Sequence, residues 1–325
     1  MTHLLTPANN AVVSLLTELQ REFTAEATHR YNDANLDWAH LERTKDQDDT
    51  LPAPVIFSFE SDQPESTFRL STSPAMDHAT VIVTQEQKLV LDNLFAGTKY
   101  YWQVNDSDIA SFQTEFTYPR FLHIDGLTNV RDTGARKTQN GKVLKQGLLY
   151  RGSEMNLHHT ITDAGKRVML EDMKIKTDLD LRAEGVEHGC PLGDAVDWIV
   201  IPIAAYASFV TDYKKECKAI FDVLADKAHY PIYYHCWGGA DRTGTVAALL
   251  GAILELSEAD ILLDYEITSL SIWGDRSRES ELWQGLEQAL MTYPGANFPE
   301  RARAFLLDAG VSESQMEIIR SILLE

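Results

Sequence analysis

Cys236 and Arg242 stand six positions apart in the run His235-Cys236-Trp237-Gly238-Gly239-Ala240-Asp241-Arg242-Thr243-Gly244-Thr245. An apolar strand candidate, 231–235, precedes this run and a helical pattern from Val246 to Leu254 follows it. A short glycine-containing loop in that setting turns backbone N–H groups inward, and the helix N-terminus adds partial positive charge, so the two together cradle a dianion. The same field favours thiolate over thiol, which makes Cys236 a nucleophile. Arg242 supplies two parallel N–H donors for phosphate oxygens, a task Lys performs less well. Thr243 is expected to donate its hydroxyl toward the Cys236 sulfur, and His235 to bond the loop backbone and orient the cysteine. Gly238 and Gly239 permit backbone conformations that a Cβ would obstruct, and with Trp237 and Ala240 they form the expected substrate-binding backbone.

The loop needs a strand and a helix on either side, and from Arg120 onward strand and helix patterns alternate. Strand candidates are 147–150, 176–181, 198–201 and 231–235, with helical spacing at Tyr213, Cys217, Ile220, Phe221 and Leu224. The expected class is α/β with a central, mostly parallel sheet flanked by helices, ending in two or three helices over the last 45 residues. Six short β-rich runs between Val55 and Phe116 read instead as an all-β sandwich. The segment Leu91-Asp92-Asn93-Leu94-Phe95-Ala96-Gly97-Thr98-Lys99-Tyr100 resembles the corner of fibronectin type III domains. That resemblance implies that Tyr100 bonds back to the backbone and that Trp102 lies in the core. Apolar positions from Val12 to Phe23 suit one helix over 9–28, and the acidic stretch from Glu42 to Thr50, followed by Pro52 and Pro54, reads as a linker. The expected division is a helical arm and linker at 1–51, a fibronectin type III-like sandwich at 52–118 and a catalytic domain at 119–325.

The 325 residues hold 29 Lys+Arg against 49 Asp+Glu, a formal net charge of −20. This disfavours nucleic acid as a partner, because phosphate-backbone affinity needs clustered cations. Residues 119–182 are the exception, with 12 basic against 8 acidic residues, a net of +4. No run is apolar and long enough to cross a bilayer, no export signal is evident, and three cysteines (Cys190, Cys217, Cys236) are too few for a disulfide scaffold or thiolate metal site. A cytoplasmic protein with no integral membrane association is expected.

The loop resembles that of the cysteine-dependent phosphatases of the tyrosine and dual-specificity superfamily, written H-C-x5-R-[S/T], and within it the bacterial tyrosine phosphatases with lipid-phosphatase relatives. Asn129-Val130-Arg131-Asp132, Leu149-Tyr150-Arg151, Asp180-Leu181-Arg182 and Asp264-Tyr265 are similar to further segments of that group, in the same order. The resemblance implies hydrolysis of phosphate monoesters, foremost protein phosphotyrosine, through a cysteinyl-phosphate, with no metal or cofactor. It also implies substrate-side or buttressing roles for Arg131 and Arg182 and a supporting role for Asp132. The group's usual loop lysine is Ala240 here, which weakens the case for highly charged phosphoinositides. The acidic residue expected after Asp180-Leu181-Arg182 is displaced, so Glu184 and Glu187 both stand for it. No Trp-Pro-Asp tripeptide occurs, which leaves Asp180 and Asp241 as general acids; the resemblance favours Asp180 because it places that segment beside the loop. The alternatives are a phosphoinositide or inositol-phosphate phosphatase and an inactive phosphate-binding adaptor.

Overall fold

The computed structural model describes residues 2–32 and 47–325, so part of the acidic stretch expected as a linker lies outside the described residues. The chain divides into two units, Met1–Thr17 with Pro52–Leu122, and Glu18–Leu51 with His123–Glu325.

The first unit holds β1 (Thr2–Thr6), β2 (Ala11–Val13), β3 (Val55–Ser61), β4 (Ser66–Ser71), β5 (Thr80–Thr84), β6 (Lys88–Leu91), β7 (Lys99–Val104), β8 (Ala110–Thr114) and β9 (Arg120–Phe121). Two sheets form, ordered β1-β3-β6 and β2-β8-β7-β4-β5. Alternating residues of β3 (Val55, Phe57, Phe59) and β7 (Tyr100, Trp102, Val104) are buried, as a period of two dictates for strands with one face inward. Phe57 meets Phe68, Trp102 and Phe112 edge-on, with ring centroids 4.9, 5.3 and 5.6 Å away. The Tyr100 hydroxyl accepts from the Phe95 amide at 2.9 Å, which is the corner the sequence implied. The helix expected over 9–28 is not formed as such. Ala11–Val13 runs parallel to β8, and the helix starts only at Glu18. Val12 and Val13 fit either period over so short a run, and Leu15 and Leu16, both buried, are adjacent rather than on one helical face.

The second unit opens with α1 (Glu18–Asn32) and continues with β10 (Arg131–Asp132), β11 (Leu149–Gly152), α2 (Asp163–Arg167), β12 (Thr177–Asp180), β13 (Asp197–Val200), α3 (Tyr206–Asp212), α4 (Lys214–Leu224) and β14 (Ile232–His235). It ends in α5 (Asp241–Ile253), α6 (Glu258–Glu266), α7 (Glu281–Leu290), α8 (Phe298–Asp308) and α9 (Glu313–Leu323). The strands lie in the order β13-β12-β14-β11-β10. The first four are mutually parallel, and β10 is antiparallel to β11. Every residue of β11, β12 and β14 is buried, as expected where helices cover both faces of a parallel sheet. α5 is buried on nearly all sides, from Thr243 to Ile253, so its N-terminus is fixed against the sheet. Gly152, Asp180 and His235 share one register line, which brings the C-terminal ends of three strands together. Parallel sheets bind ligands beyond that edge. Among the described residues no helix is long and apolar enough to cross a membrane, and no group of three His, Cys, Asp or Glu could hold a metal ion.

Candidate active site

The loop after β14 begins at Cys236, which is buried, and runs into α5 at Asp241. Each of its first five carbonyls has a donor. His235 Nδ1 lies 3.2 Å from the Cys236 carbonyl, and the Glu154 amide donates to the Trp237 carbonyl at 2.8 Å. Asn129 Nδ2 donates to the Gly238 carbonyl at 2.9 Å and Arg151 Nη2 to the Gly239 carbonyl at 2.6 Å. The Ala240 carbonyl accepts from the Gly244 amide at 2.9 Å, the first bond of α5. A peptide whose carbonyl is held on one side presents the following N–H to the other side. The N–H groups of residues 237 to 241 are therefore turned away from these donors, which is the arrangement an anion cradle requires.

Three donors are themselves fixed by charge. Arg131 and Arg151, both without solvent exposure, share Asp264: Arg131 Nε reaches Oδ1 at 3.0 Å and Arg151 Nη1 reaches Oδ2 at 2.6 Å. Arg131 also donates to Asn129 Oδ1 at 2.5 Å, which orients the amide that holds Gly238. Glu154 accepts from four consecutive amides, those of Asn156, Leu157, His158 and His159, at 2.5 to 2.7 Å, and from Arg182 Nη1 at 3.1 Å. Burial opposes its charge, yet the His159 side chain and the amides of His159, Asn156 and Leu157 hold its pKa down to about 2.

Backbone space at the loop is limited. Gly239 has φ +64°, and a Cβ there would run into the backbone of Gly152. At Gly238 a Cβ would lie 2.6 Å from the ring of Trp273. Trp237 is 38% exposed, and its ring meets His158 edge-on at 4.3 Å; His159 lies 5.5 Å from Trp273. The mouth of the loop therefore has an aromatic lip.

The expected site residues divide on inspection of their partners. Arg242 Nη2 meets Glu184 Oε1 at 2.5 Å, whereas Glu187, the other acidic residue considered after Asp180-Leu181-Arg182, pairs with His188. Arg131 does not face a substrate: its guanidinium is buried on Asp264 and Asn129. Arg182 likewise serves Asp180, Glu154 and Asn156. Both arginines find internal carboxylates, which satisfy them without a ligand. Asp180 has no solvent exposure, and both its oxygens accept from Arg182, at 2.9 and 2.7 Å. Burial works against its charge, but His235 and Arg182 lower its pKa, which fits a fixed carboxylate rather than a proton donor. Asp241 differs, with a side chain 38% exposed. Arg276 reaches its two oxygens at 2.9 and 3.0 Å, and the Tyr206 hydroxyl donates to Oδ1. Tyr206 holds φ +57°, a conformation bulky residues rarely take, at the start of α3.

Two further expectations fail. The Thr243 hydroxyl is buried and makes no hydrogen bond to the Cys236 sulfur or any other atom among the described residues. Asp132 supports a different turn, accepting from the amides of Gly134 at 2.7 Å and Gly147 at 2.6 Å. Among the residues not foreseen as site members, Asn129, Arg151 and Asp264 lay inside the segments that carried the resemblance, whereas Glu154, Tyr206 and Arg276 had no local signal.

Among known proteins, the Cupriavidus necator protein named "Putative tyrosine-protein phosphatase H16_A0669" is 23% identical over 171 residues, 44% of this chain and 61% of that protein. The chain thus spans about three fifths of the length of this curated relative. The crystal structure of Pseudomonas aeruginosa TpbA superposes with a TM-score of 0.35 at 17% identity, covering 50% of this chain and 87% of that one. The core catalytic domain of the PP-IP phosphatase SIW14 from Saccharomyces cerevisiae gives 0.33 at 14% identity, covering 48% and 86%. The profile of the tyrosine phosphatase family matches residues 122–325, the stretch that contains the cysteine loop and every residue described around it, and the chain belongs to that family.

Proposed function

We propose that the chain is a cysteine-dependent protein-tyrosine phosphatase, with a phosphatase domain over 119–325 and a fibronectin type III-like sandwich over 52–118 whose two sheets β1 and β2 extend. The outward-held carbonyls of residues 236–240, with Arg242 at the end of the loop, carry this reading. They leave a ring of inward N–H groups beside a cysteine, which suits a tetrahedral dianion more than any other ligand class. The Cys236 thiolate attacks phosphorus, a sulfur–phosphorus bond forms, and the bond from phosphorus to the ester oxygen breaks. The leaving oxygen takes a proton from Asp241, and the equatorial oxygens are held by the loop N–H groups and Arg242. Water then attacks the cysteinyl-phosphate and gives its proton to Asp241, and inorganic phosphate and the thiolate are released. Both carboxylates are paired by an arginine, and Asp241 is assigned this role because its side chain is exposed to solvent whereas Asp180 is fully buried.

The aromatic lip of Trp237 and His158 favours an aryl ester over a polyanionic sugar ring, because it offers flat apolar surface at the mouth. Ala240 points the same way by leaving the loop without a lysine. The test is hydrolysis of a phosphotyrosine peptide and of p-nitrophenyl phosphate by the wild type, Cys236→Ser, Asp241→Asn and Asp180→Asn. Turnover should vanish in the first variant and fall further in Asp241→Asn than in Asp180→Asn. Full activity of Cys236→Ser, or a wild type that hydrolyses inositol phosphates in preference to phosphotyrosine, would sink the reading.

A further inference from the structure

His235 is enclosed, 0% exposed, and both of its ring nitrogens face acceptors. Nδ1 lies 3.2 Å from the Cys236 carbonyl and 3.9 Å from Asp180 Oδ1, and Nε2 lies 2.8 Å from Asp178 Oδ1. The contact with Asp178 is close but set off the hydrogen-bond axis. The other Asp178 oxygen accepts from the Cys190 thiol at 3.3 Å. A neutral imidazole has one donor nitrogen and one acceptor nitrogen, so a second proton is favoured on a ring with Nδ1 against a carbonyl and Nε2 against a carboxylate oxygen. We propose that Asp178, which lies outside the loop motif, is a positioning residue that keeps His235 doubly protonated, so that Nδ1–H clasps the Cys236 carbonyl while a fixed positive charge adjoins the nucleophile.

The surroundings agree with this assignment. β12 contributes Asp178 and Asp180, and Arg182, just beyond it, opposes the charge; on β14 itself stands the Tyr233 ring, 5.6 Å away, and Cys236 follows its last residue. Burial disfavours the imidazolium, but the two carboxylates overcome it and hold the His235 pKa up to about 9. Asp178 and His235 are both about 1% exposed in their side chains, so solvent does not screen the pair. The inference rests on the reading of Cys236 as the nucleophile for its catalytic consequence, but not for the protonation of the ring.

The experiment follows the His235 ring by nitrogen-15 NMR in the full chain, and separately the pH dependence of p-nitrophenyl phosphate turnover, in wild type and Asp178→Asn. An asparagine can donate to a bare Nε2, so this variant retains the Nδ1 clasp and loses the charge. The wild-type ring should be doubly protonated at pH 7. In Asp178→Asn it should titrate near the ordinary histidine value of about 6.5, with a matching new inflection in kcat. A singly protonated wild-type ring at pH 7 overturns the proposal, and so does a variant whose pH profile superimposes on the wild type. If Asp178→Asn does not fold, the wild-type spectrum still decides the protonation, and Asp178→Glu should restore it. An inactive wild type with a doubly protonated ring would refute the proposed phosphatase activity, not the role of Asp178 toward His235.

Discussion

Arg242 Nη2 and Glu184 Oε1 lie 2.5 Å apart, so one edge of the loop arginine is held by a carboxylate only two residues beyond the buried Arg182. The remaining guanidinium N–H groups are thereby aimed by a partner rather than left to rotate. Glu184→Gln should keep the fold and lower kcat/KM about tenfold, mainly through KM, because orientation of a binding group is lost. Arg242→Lys should lose about 100-fold or more, since a point charge cannot replace the two parallel donors. Steady-state kinetics on a phosphotyrosine peptide check both, and an unchanged KM in Glu184→Gln would contradict the aiming role.

Gly239→Ala should be folded and nearly inactive. Its φ of +64° and the adjacent Gly152 backbone leave no place for a methyl group, so the loop must shift. A displacement of about 1 Å in a positioned site costs on the order of 100-fold in rate. Gly285→Ala is the matched control, because Gly285 lies within α7 with only Ala207 at 3.9 Å. It should keep full turnover and gain up to about 1 kcal/mol of stability. Equal activity in the two variants would contradict the steric account.

Arg182 binds two buried carboxylates, so its loss should register in stability before function. Arg182→Met leaves Asp180 and Glu154 without their guanidinium, at a cost of about 3–5 kcal/mol. Urea unfolding measures this directly. A loss below about 1 kcal/mol would mean that the network is not closed in solution.

Two buried groups set opposite edges of the pH range for stability. His235 has a folded pKa of about 9, above its ordinary 6.5, so its contribution is complete below pH 6.5 and is lost as pH rises through about 9. Glu154 has a folded pKa of about 2, below its ordinary 4.5, so its contribution is complete above pH 4.5 and is lost as pH falls toward 2. Stability should therefore be level between these limits and fall on either side. His235→Gln should flatten the alkaline decline in a thermal melt series, and an unaltered decline would exclude His235 as its cause.

The loop itself could be read from residue types because its chemistry is local: nucleophile, glycines and arginine occur within seven positions of one another. What holds the loop could not. Asn129, Arg151 and Glu154 lie about 80 to 110 residues upstream and reach it only through the order β12-β14-β11-β10. For Arg131 and Arg182 the residue types left substrate-side and buttressing roles open, because charge alone does not say which anion an arginine meets; Asp264, Glu154 and Asp180 are the anions at hand. What separates Asp180 from Asp241 is burial, a tertiary quantity that residue types do not carry. The start of α1 was misplaced because Ala11–Val13 pairs with β8, about 100 residues away, and so short a segment cannot declare that alone.

The five outward-held carbonyls also bear on which anions the loop accepts. A cup whose donors are already aligned needs no rearrangement when an anion arrives, so selection among anions falls to their geometry. Oxyanions that present three oxygens in a trigonal array, such as vanadate, tungstate and sulfate, match inward N–H groups arrayed in a ring, whereas linear thiocyanate does not. The loop is thus a gauge of molecular shape set before any substrate is met, and a small inorganic ion is enough to read it.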